Sequence, residues 1–191
     1  GATFPGIYAM MANRHMYDFG TSEEQLAAVA VKNHENGSKN KYAQFRNKIT
    51  IDDVMRSPPV ALPLKLLDCS PITDGAAAVI LASEDFVKKN RCDPVWIAAS
   101  AQASDTLSLH DRKSLTEINS TKVAAREAFS QANLSPKDIN VAEVHDCFTI
   151  AEIMAIEDLG FFKKGEGGKA TANGETALNS KLSVNTSGGL K

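Results

Sequence analysis

The sequence predicts an α/β layered fold, a mixed sheet covered by helices, led by a mostly helical segment. Three observations predict it. Before residue 38, apolar side chains recur at helical spacing. From residue 71 onward, continuous apolar runs alternate with amphipathic stretches. The joints between them carry Gly, Pro, Ser and Asp where elements start and stop. Strands alternating with helices bury both faces of a sheet under helical layers.

The elements follow in order. Tyr8, Met11, Ala12, His15 and Met16 share one helical face from about Ile7 to Phe19, and Gly20 closes that helix. Thr21 and Glu24 have the spacing of a capping box, opening a second helix through Leu26, Val29 and Ala30. Asn36-Gly37 offers a left-handed stop for it. Residues 38–63 are polar and broken by Pro58, Pro59 and Pro63, with room for a short helix over Ile51 to Arg56. Asp74-Gly75 leads into Ala76-Ala77-Ala78-Val79-Ile80-Leu81, a run suited to a strand buried on both faces. Ser83 caps a short helix ending near Asn90, and Val95 to Ala101 reads as a central strand. A helix over 121–133 carries Ala125, Ala128, Phe129 and Ala132 on one side, and Ser135-Pro136 starts a turn. Then come a strand from Val141 to Val144 and a helix from Thr149 stopped at Gly160, with Thr149 and Glu152 at capping-box spacing. Lys163 to Asn179, rich in glycine and polar residues, reads as a long mobile loop before a last strand near Leu182 to Asn185.

The strongest chemical signal is His145-Asp146-Cys147-Phe148, set between a strand and a helix. The strand fixes the backbone and the turn exposes the side chains. The helix N-terminus adds partial positive charge, which lowers a thiol pKa and stabilises an anion. On spacing alone, a hydrogen-bonded turn histidine beside an inert buried thiol explains the pair as well. A metal site is the poorer reading: His145 and Cys147 supply two ligands, and no third stands nearby in sequence.

Composition narrows the partners. The 191 residues suffice for one domain or two small ones, and 43% hydrophobic content supports a real core. A net charge of -2, with no Lys/Arg stripe, gives nucleic-acid binding no electrostatic basis. No apolar run approaches the roughly 18 residues of a membrane span, and Gly1 to Pro5 lacks a signal-peptide pattern. Cys69, Cys92 and Cys147 fit no zinc or disulfide framework and read as reduced thiols, which suggests a cytoplasmic compartment. Cys69 and Cys92 are expected to be small structural hydrophobes. The missing initiator methionine and the closing Gly188-Gly189 suggest a piece of a longer protein.

Several segments together carry a family resemblance. Thr3-Phe4-Pro5-Gly6 with Met11 to Tyr17, then Ser70-Pro71-Ile72-Thr73-Asp74-Gly75-Ala76-Ala77-Ala78, then His145-Asp146-Cys147-Phe148, then Asn185-Thr186-Ser187-Gly188-Gly189 span nearly the whole chain. The chain resembles the thiolase superfamily, and within it the archaeal-type acetyl-CoA acetyltransferases and sterol carrier protein x thiolases. The second segment is similar to the family's SG-x-NDGAAA stretch. The third is similar to the HDCF box that replaces NEAF, and the fourth to the run leading into the GHP box.

The resemblance implies two similar βαβαβαββ halves, an α-helical loop domain and chemistry on coenzyme A thioesters, with no other cofactor. It divides the chain into a loop domain (1–70), the last strand and helix of the N-terminal core half (71–93), and a C-terminal core half (94–191) ending before the GHP box. It also implies roles. His145 takes the oxyanion-site place of the NEAF asparagine, and Cys147 that of the acid/base thiol. Phe148 walls the thioester pocket, Asp146 orients the turn, and Ser70 contacts the pantetheine arm, although a plain turn hydroxyl before Pro71 is an equal reading. The nucleophilic cysteine and the GHP histidine would lie outside residues 1–191, so the isolated chain is expected to be inactive. The expected whole protein is an acyltransferase that condenses acetyl-CoA or thiolyses 3-ketoacyl-CoA. The rival is a non-catalytic thiolase-like acyl-CoA or lipid-binding protein. The family further implies a homodimer, a small zinc-binding partner with a downstream synthase, and a peroxisomal location if the source is eukaryotic. His15, His34 and His110 read as surface or satisfied histidines, Met10, Met11 and Met16 as core, and Lys39, Lys41, Arg46 and Lys48 as a solvated loop.

Overall fold

A computed structural model describes residues 2–191. Helix α1 (Phe4–Phe19) starts on Thr3, whose side chain accepts from the Gly6 N–H. It stops at Gly20, whose φ of 71° lets its N–H reach back to the Met16 carbonyl. Helix α2 (Glu23–Lys39) begins on Ser22 and α3 (Ile51–Arg56) on Thr50, which forms a reciprocal capping box with Asp53. A hairpin of β1 (Pro59–Ala61) and β2 (Leu64–Lys65) follows, then the helices α4 (Glu84–Asn90) and α5 (Asn119–Ala132). Strand β3 (Val141–Ala142) feeds α6 (Thr149–Asp158), and α7 (Gly167–Ala172) leads to β4 (Ser183–Val184), which lies parallel to β3.

Helix α6 is the centre of the molecule. All ten of its residues are buried, the polar Thr149, Glu152, Glu157 and Asp158 included, so each of these four needs a partner within the core. Ile150, Ile153 and Met154 pack with Met11 and Ala12 of α1, Leu26 and Val29 of α2, Leu64 and Phe148. A second cluster joins Ile156 to Leu182 and Val184, and a third joins α2 to α3 through Ala27, Ala30 and Val54. Helix α2 therefore packs against α3, α6 and α7 together.

Several expectations are corrected. Thr21 does not cap α2: it is buried and its hydroxyl bonds the His15 ring instead. Asn36 and Gly37 lie inside α2, which runs two residues further. Gly37 is needed for close approach, since its backbone packs against Gly188 and the Phe45 carbonyl. Thr149 and Glu152 form no capping box, because both side chains bond across the core. The glycine-rich stretch 163–179 is no open loop, for α7 forms within it and is largely buried. A Cβ on Gly167 would press on Glu157 and one on Gly168 on Gln25, so these glycines serve packing.

The largest difference concerns the two runs expected as central strands. Residues 76–81 and 95–101 form no strand, and Val79, Ile80, Leu81, Val95, Trp96 and Ile97 are exposed. A strand needs a hydrogen-bonded neighbour, and none of the described residues pairs with either run. Among the described residues no helix is long and apolar enough to cross a membrane.

Candidate active site

The turn from His145 to Phe148 is held from both sides. Strand β3 ends before it, and the Val144 N–H donates to the Asn185 side-chain carbonyl at 2.8 Å. After the turn, Phe148 pairs with Cys69 in an isolated antiparallel bridge, and the Ser70 N–H donates to the Cys147 carbonyl at 2.9 Å. The fold thus brings together Ser70, Cys147 and Phe148, which stand far apart in sequence. His145 shares the turn and its side chain is exposed to solvent.

Asp146 is the anchor. It is 1% exposed, and its carboxylate accepts from the Asn33 amide at 2.8 Å and the Leu190 N–H at 2.9 Å. Gly189 packs so closely on this carboxylate that any side chain there would collide with it. The same Asn33 amide donates to Glu152 at 2.7 Å, and Glu152 also accepts from the Asn185 amide at 2.7 Å. Lys32 completes the group, with Nζ 2.9 Å from Glu152 and donating to the Asn33 and Val184 carbonyl oxygens. Burial pushes the Glu152 carboxyl upward, opposed by Lys32 and Asn33. Burying a charge is costly unless it is paired and hydrogen-bonded: Glu152 has Lys32 as its ion pair and two amide donors on Oε2, and Asp146 is held by hydrogen bonds from Asn33 and Leu190.

Cys147 is half-buried. The position just before a helix N-terminus favours a low thiol pKa, yet burial outweighs it and pushes the Cys147 thiol above its ordinary value. The Tyr8 hydroxyl and nearby backbone N–H groups pull it down, and Asp146 pushes it up. Burial, and to a lesser degree the neighbouring Cys147, pushes the Tyr8 phenol above its ordinary value. Its ring lies 4.7 Å from that of Phe148, tilted by 34°. Burial likewise pushes the Cys69 thiol up to about 11. Cys92 is exposed, contrary to its expected place in a core.

A cavity of about 240 Å³ opens beside this turn, lined by His34, Phe45, Leu66, Leu67, Cys69, Ser70, Pro71 and Lys191. Among the described residues, no group of three or more His, Cys, Asp or Glu could hold a metal ion. Of the other histidines, His15 is fully buried between Thr21 at 2.8 Å and Glu157 at 3.0 Å, and His34 bonds the Asn47 carbonyl. His110 is exposed.

Sequence reasoning missed Asn33, Glu152, Asn185 and Tyr8. A signal for Asn33 was present: it falls seven residues after Leu26 and four after Val29, so a polar amide occupies the apolar stripe of α2. Tyr8 shares the buried face with Met11 and Ala12, and nothing local says that its ring meets that of Phe148.

Comparison with known proteins gives this turn its context. The thiolase N-terminal domain model matches residues 5–85, and the thiolase C-terminal domain-like model matches residues 101–191. The chain belongs to the thiolase superfamily. It is 58% identical, over its whole length, to half of the acetyl-CoA acetyltransferase of Methanothermobacter thermautotrophicus. Over 97% of its length it is 39% identical to 35% of sterol carrier protein 2 of Gallus gallus. Among solved structures, an Ltp2-ChsH2(DUF35) aldolase superposes with a TM-score of 0.84 at 28% identity, over 96% of this chain and 49% of that one. The fold is therefore thiolase-like, and the chain spans about half the length of the acetyltransferase it matches.

Proposed function

We propose that this chain forms the loop-domain and second-half part of a thiolase-type acyltransferase acting on coenzyme A thioesters. The reaction is condensation of two acetyl-CoA or thiolysis of a 3-ketoacyl-CoA. The observation that carries the reading is the pairing of Cys69-Ser70 with Cys147-Phe148, which sets the segment assigned to the pantetheine arm against the turn assigned to the chemistry. In this reading residues 76–81 and 95–101 enter a core sheet completed by the rest of the protein, which also supplies the acylated cysteine.

Forming the carbon–carbon bond requires loss of a proton from the carbon beside a thioester carbonyl, and the enolate left behind needs a fixed donor. Such a donor contributes about 3 kcal/mol. The His145 ring N–H serves as that donor, exposed on a turn whose backbone Asn185 and Ser70 hold. Cys147 takes the proton as thiolate and returns it as thiol. Phe148, 7% exposed and stacked on Tyr8, walls the thioester site. A partner subunit is part of the proposal, in parallel with the Ltp2-ChsH2(DUF35) pairing.

In a version extended to the full length of its relatives, Cys147→Ala should abolish deuterium exchange at the acetyl-CoA methyl group. Exchange at the parent rate would overturn the acid/base role, and a parent protein that shows no exchange would favour the non-catalytic acyl-CoA-binding alternative.

A further inference from the structure

We propose that Asn185 is a positioning residue for His145: its side-chain carbonyl takes the Val144 N–H in place of a backbone partner. The start of the turn is thereby fixed while the backbone of Asn185 bends away from it. The role rests on the reading of His145 as the enolate donor, and it falls on the run after β4, outside the turn itself.

The rungs between β3 and β4 show where the two chains part. Ser183 donates its N–H to the Asn140 carbonyl and Asn185 donates to the Ala142 carbonyl, each at 2.8 Å. Parallel pairing spaces such bonds evenly, so the next rung would run from the Val144 N–H to the Asn185 main-chain carbonyl. Both groups go elsewhere. Asn185 has a φ of 51°, a left-handed backbone that ends an extended chain, and its main-chain carbonyl accepts from the Asn36 amide of α2 at 2.9 Å. The Val144 N–H goes to Asn185 Oδ1 at 2.8 Å, and Asn185 Nδ2 donates to Glu152 Oε2 at 2.7 Å. Asn185 is fully buried, with a partner for each of its polar groups. Asparagine suits the place, because its short amide tolerates the left-handed region and offers an acceptor and a donor at once. Glu143 makes a second clip beside Val144, accepting from Thr186 Oγ1 at 2.7 Å and from the Ser187 N–H and hydroxyl at 3.0 and 2.8 Å. Neighbouring parallel strands that part at their carboxyl ends leave the kind of crevice in which α/β folds hold ligands. His145 follows Val144 directly, with its side chain exposed. Whatever fixes the Val144 N–H therefore fixes where the imidazole starts.

The test compares Asn185→Gly and Asn185→Asp in the protein extended to the full length of its relatives. Glycine suits the left-handed backbone and deletes both side-chain hydrogen bonds. Aspartate keeps the shape and the acceptor for Val144 and lacks the donor to Glu152. Hydrogen–deuterium exchange read by mass spectrometry follows the Val144 amide, with the amides of Leu26 to Ala30 in α2 as the control. In the glycine variant the Val144 amide should exchange about tenfold faster, while α2 keeps its parent rates. In the aspartate variant Val144 should stay within about threefold of the parent. Deuterium exchange at the acetyl-CoA methyl group should slow by about tenfold or more in the glycine variant, with KM for acetyl-CoA close to the parent value. Unchanged protection at Val144 overturns the proposal, and so does equal loss in α2, which would mark general loosening. Equal loss at Val144 in both variants also overturns it, by assigning the effect to the Glu152 contact. A rise in KM at an unchanged methyl-exchange rate would remove the positioning role. Should the glycine variant not fold, the aspartate variant decides alone: protection kept at Val144 supports the clip, and protection lost overturns it. If Val144 responds as stated while the parent shows no methyl exchange, the clip stands and the acyltransferase reading fails.

Discussion

At the scale of single residues, the decisive one is Asn33, a neutral amide that serves two buried carboxylates at once. Its Nδ2 donates to Asp146 at 2.8 Å and to Glu152 at 2.7 Å, while its carbonyl oxygen accepts from Lys32 at 2.7 Å. Acid, amide and ammonium alternate, so no two like charges meet without a dipole between them. Aspartate has the same shape and no donor. Asn33→Asp would place a third carboxylate among these two and remove both hydrogen bonds. Stability should fall by about 3 kcal/mol or more, because two buried acceptors lose their partner and gain a repulsion. Urea unfolding of the 191-residue chain measures it. A loss within about 0.5 kcal/mol, the scale of an ordinary surface change, would mean that the network holds nothing in place.

At the scale of elements, α2 reaches the His145–Phe148 turn by way of the segment that follows β4. Gly188, at φ 103°, lies against Gly37 near the C-terminal end of α2, and a Cβ there would stand 2.6 Å from the Gly37 Cα. The contact is backbone on backbone, with no flexible side chain to yield. Gly188→Ala should therefore cost about 2 kcal/mol or more in thermal or urea unfolding, from the left-handed backbone and the overlap together. A neutral substitution would show that α2 and this segment are free to separate. This contact also explains what sequence could and could not tell. Helix starts and stops with local causes were legible: Gly20 after α1, the short helix over Ile51 to Arg56, Ser83 before α4, and Gly160 after α6. Features whose cause is another element were not. Thr21, Thr149 and Glu152 have capping spacing, but His15, Asp68 and Asn33 compete for them from elsewhere in the chain. Gly37, Gly167 and Gly168 look like punctuation and are packing surfaces. The turn His145 to Phe148 was legible because its residue types are rare together. Its supports were not, since Asn33, Tyr8 and Cys69 come from distant parts of the sequence.

At the scale of the whole molecule, the chain divides by burial. The core comes from residues 9–68 and 146–191, and between them Thr116 alone is buried. The intervening stretch holds the two apolar runs, which have the composition of strands buried on both faces and lack a pairing neighbour among the described residues. Few buried contacts and unpaired backbone put a segment at the low-stability end of a structure, where proteases cut. Chymotrypsin acting on the 191-residue chain should therefore cleave first at Leu81, Trp96 or Leu107, all exposed outside regular structure, and leave Tyr17 intact although it is 84% exposed, because α1 holds its backbone. In a version extended to the length of its relatives, the sites at Leu81 and Trp96 should become resistant, since the proposed core sheet takes up both runs. Mass spectrometry of early digests reads both states. First cuts within α1, α2 or α6 would contradict the division by burial. Equal cleavage at Leu81 and Trp96 in the two lengths would mean that neither run enters a completed sheet.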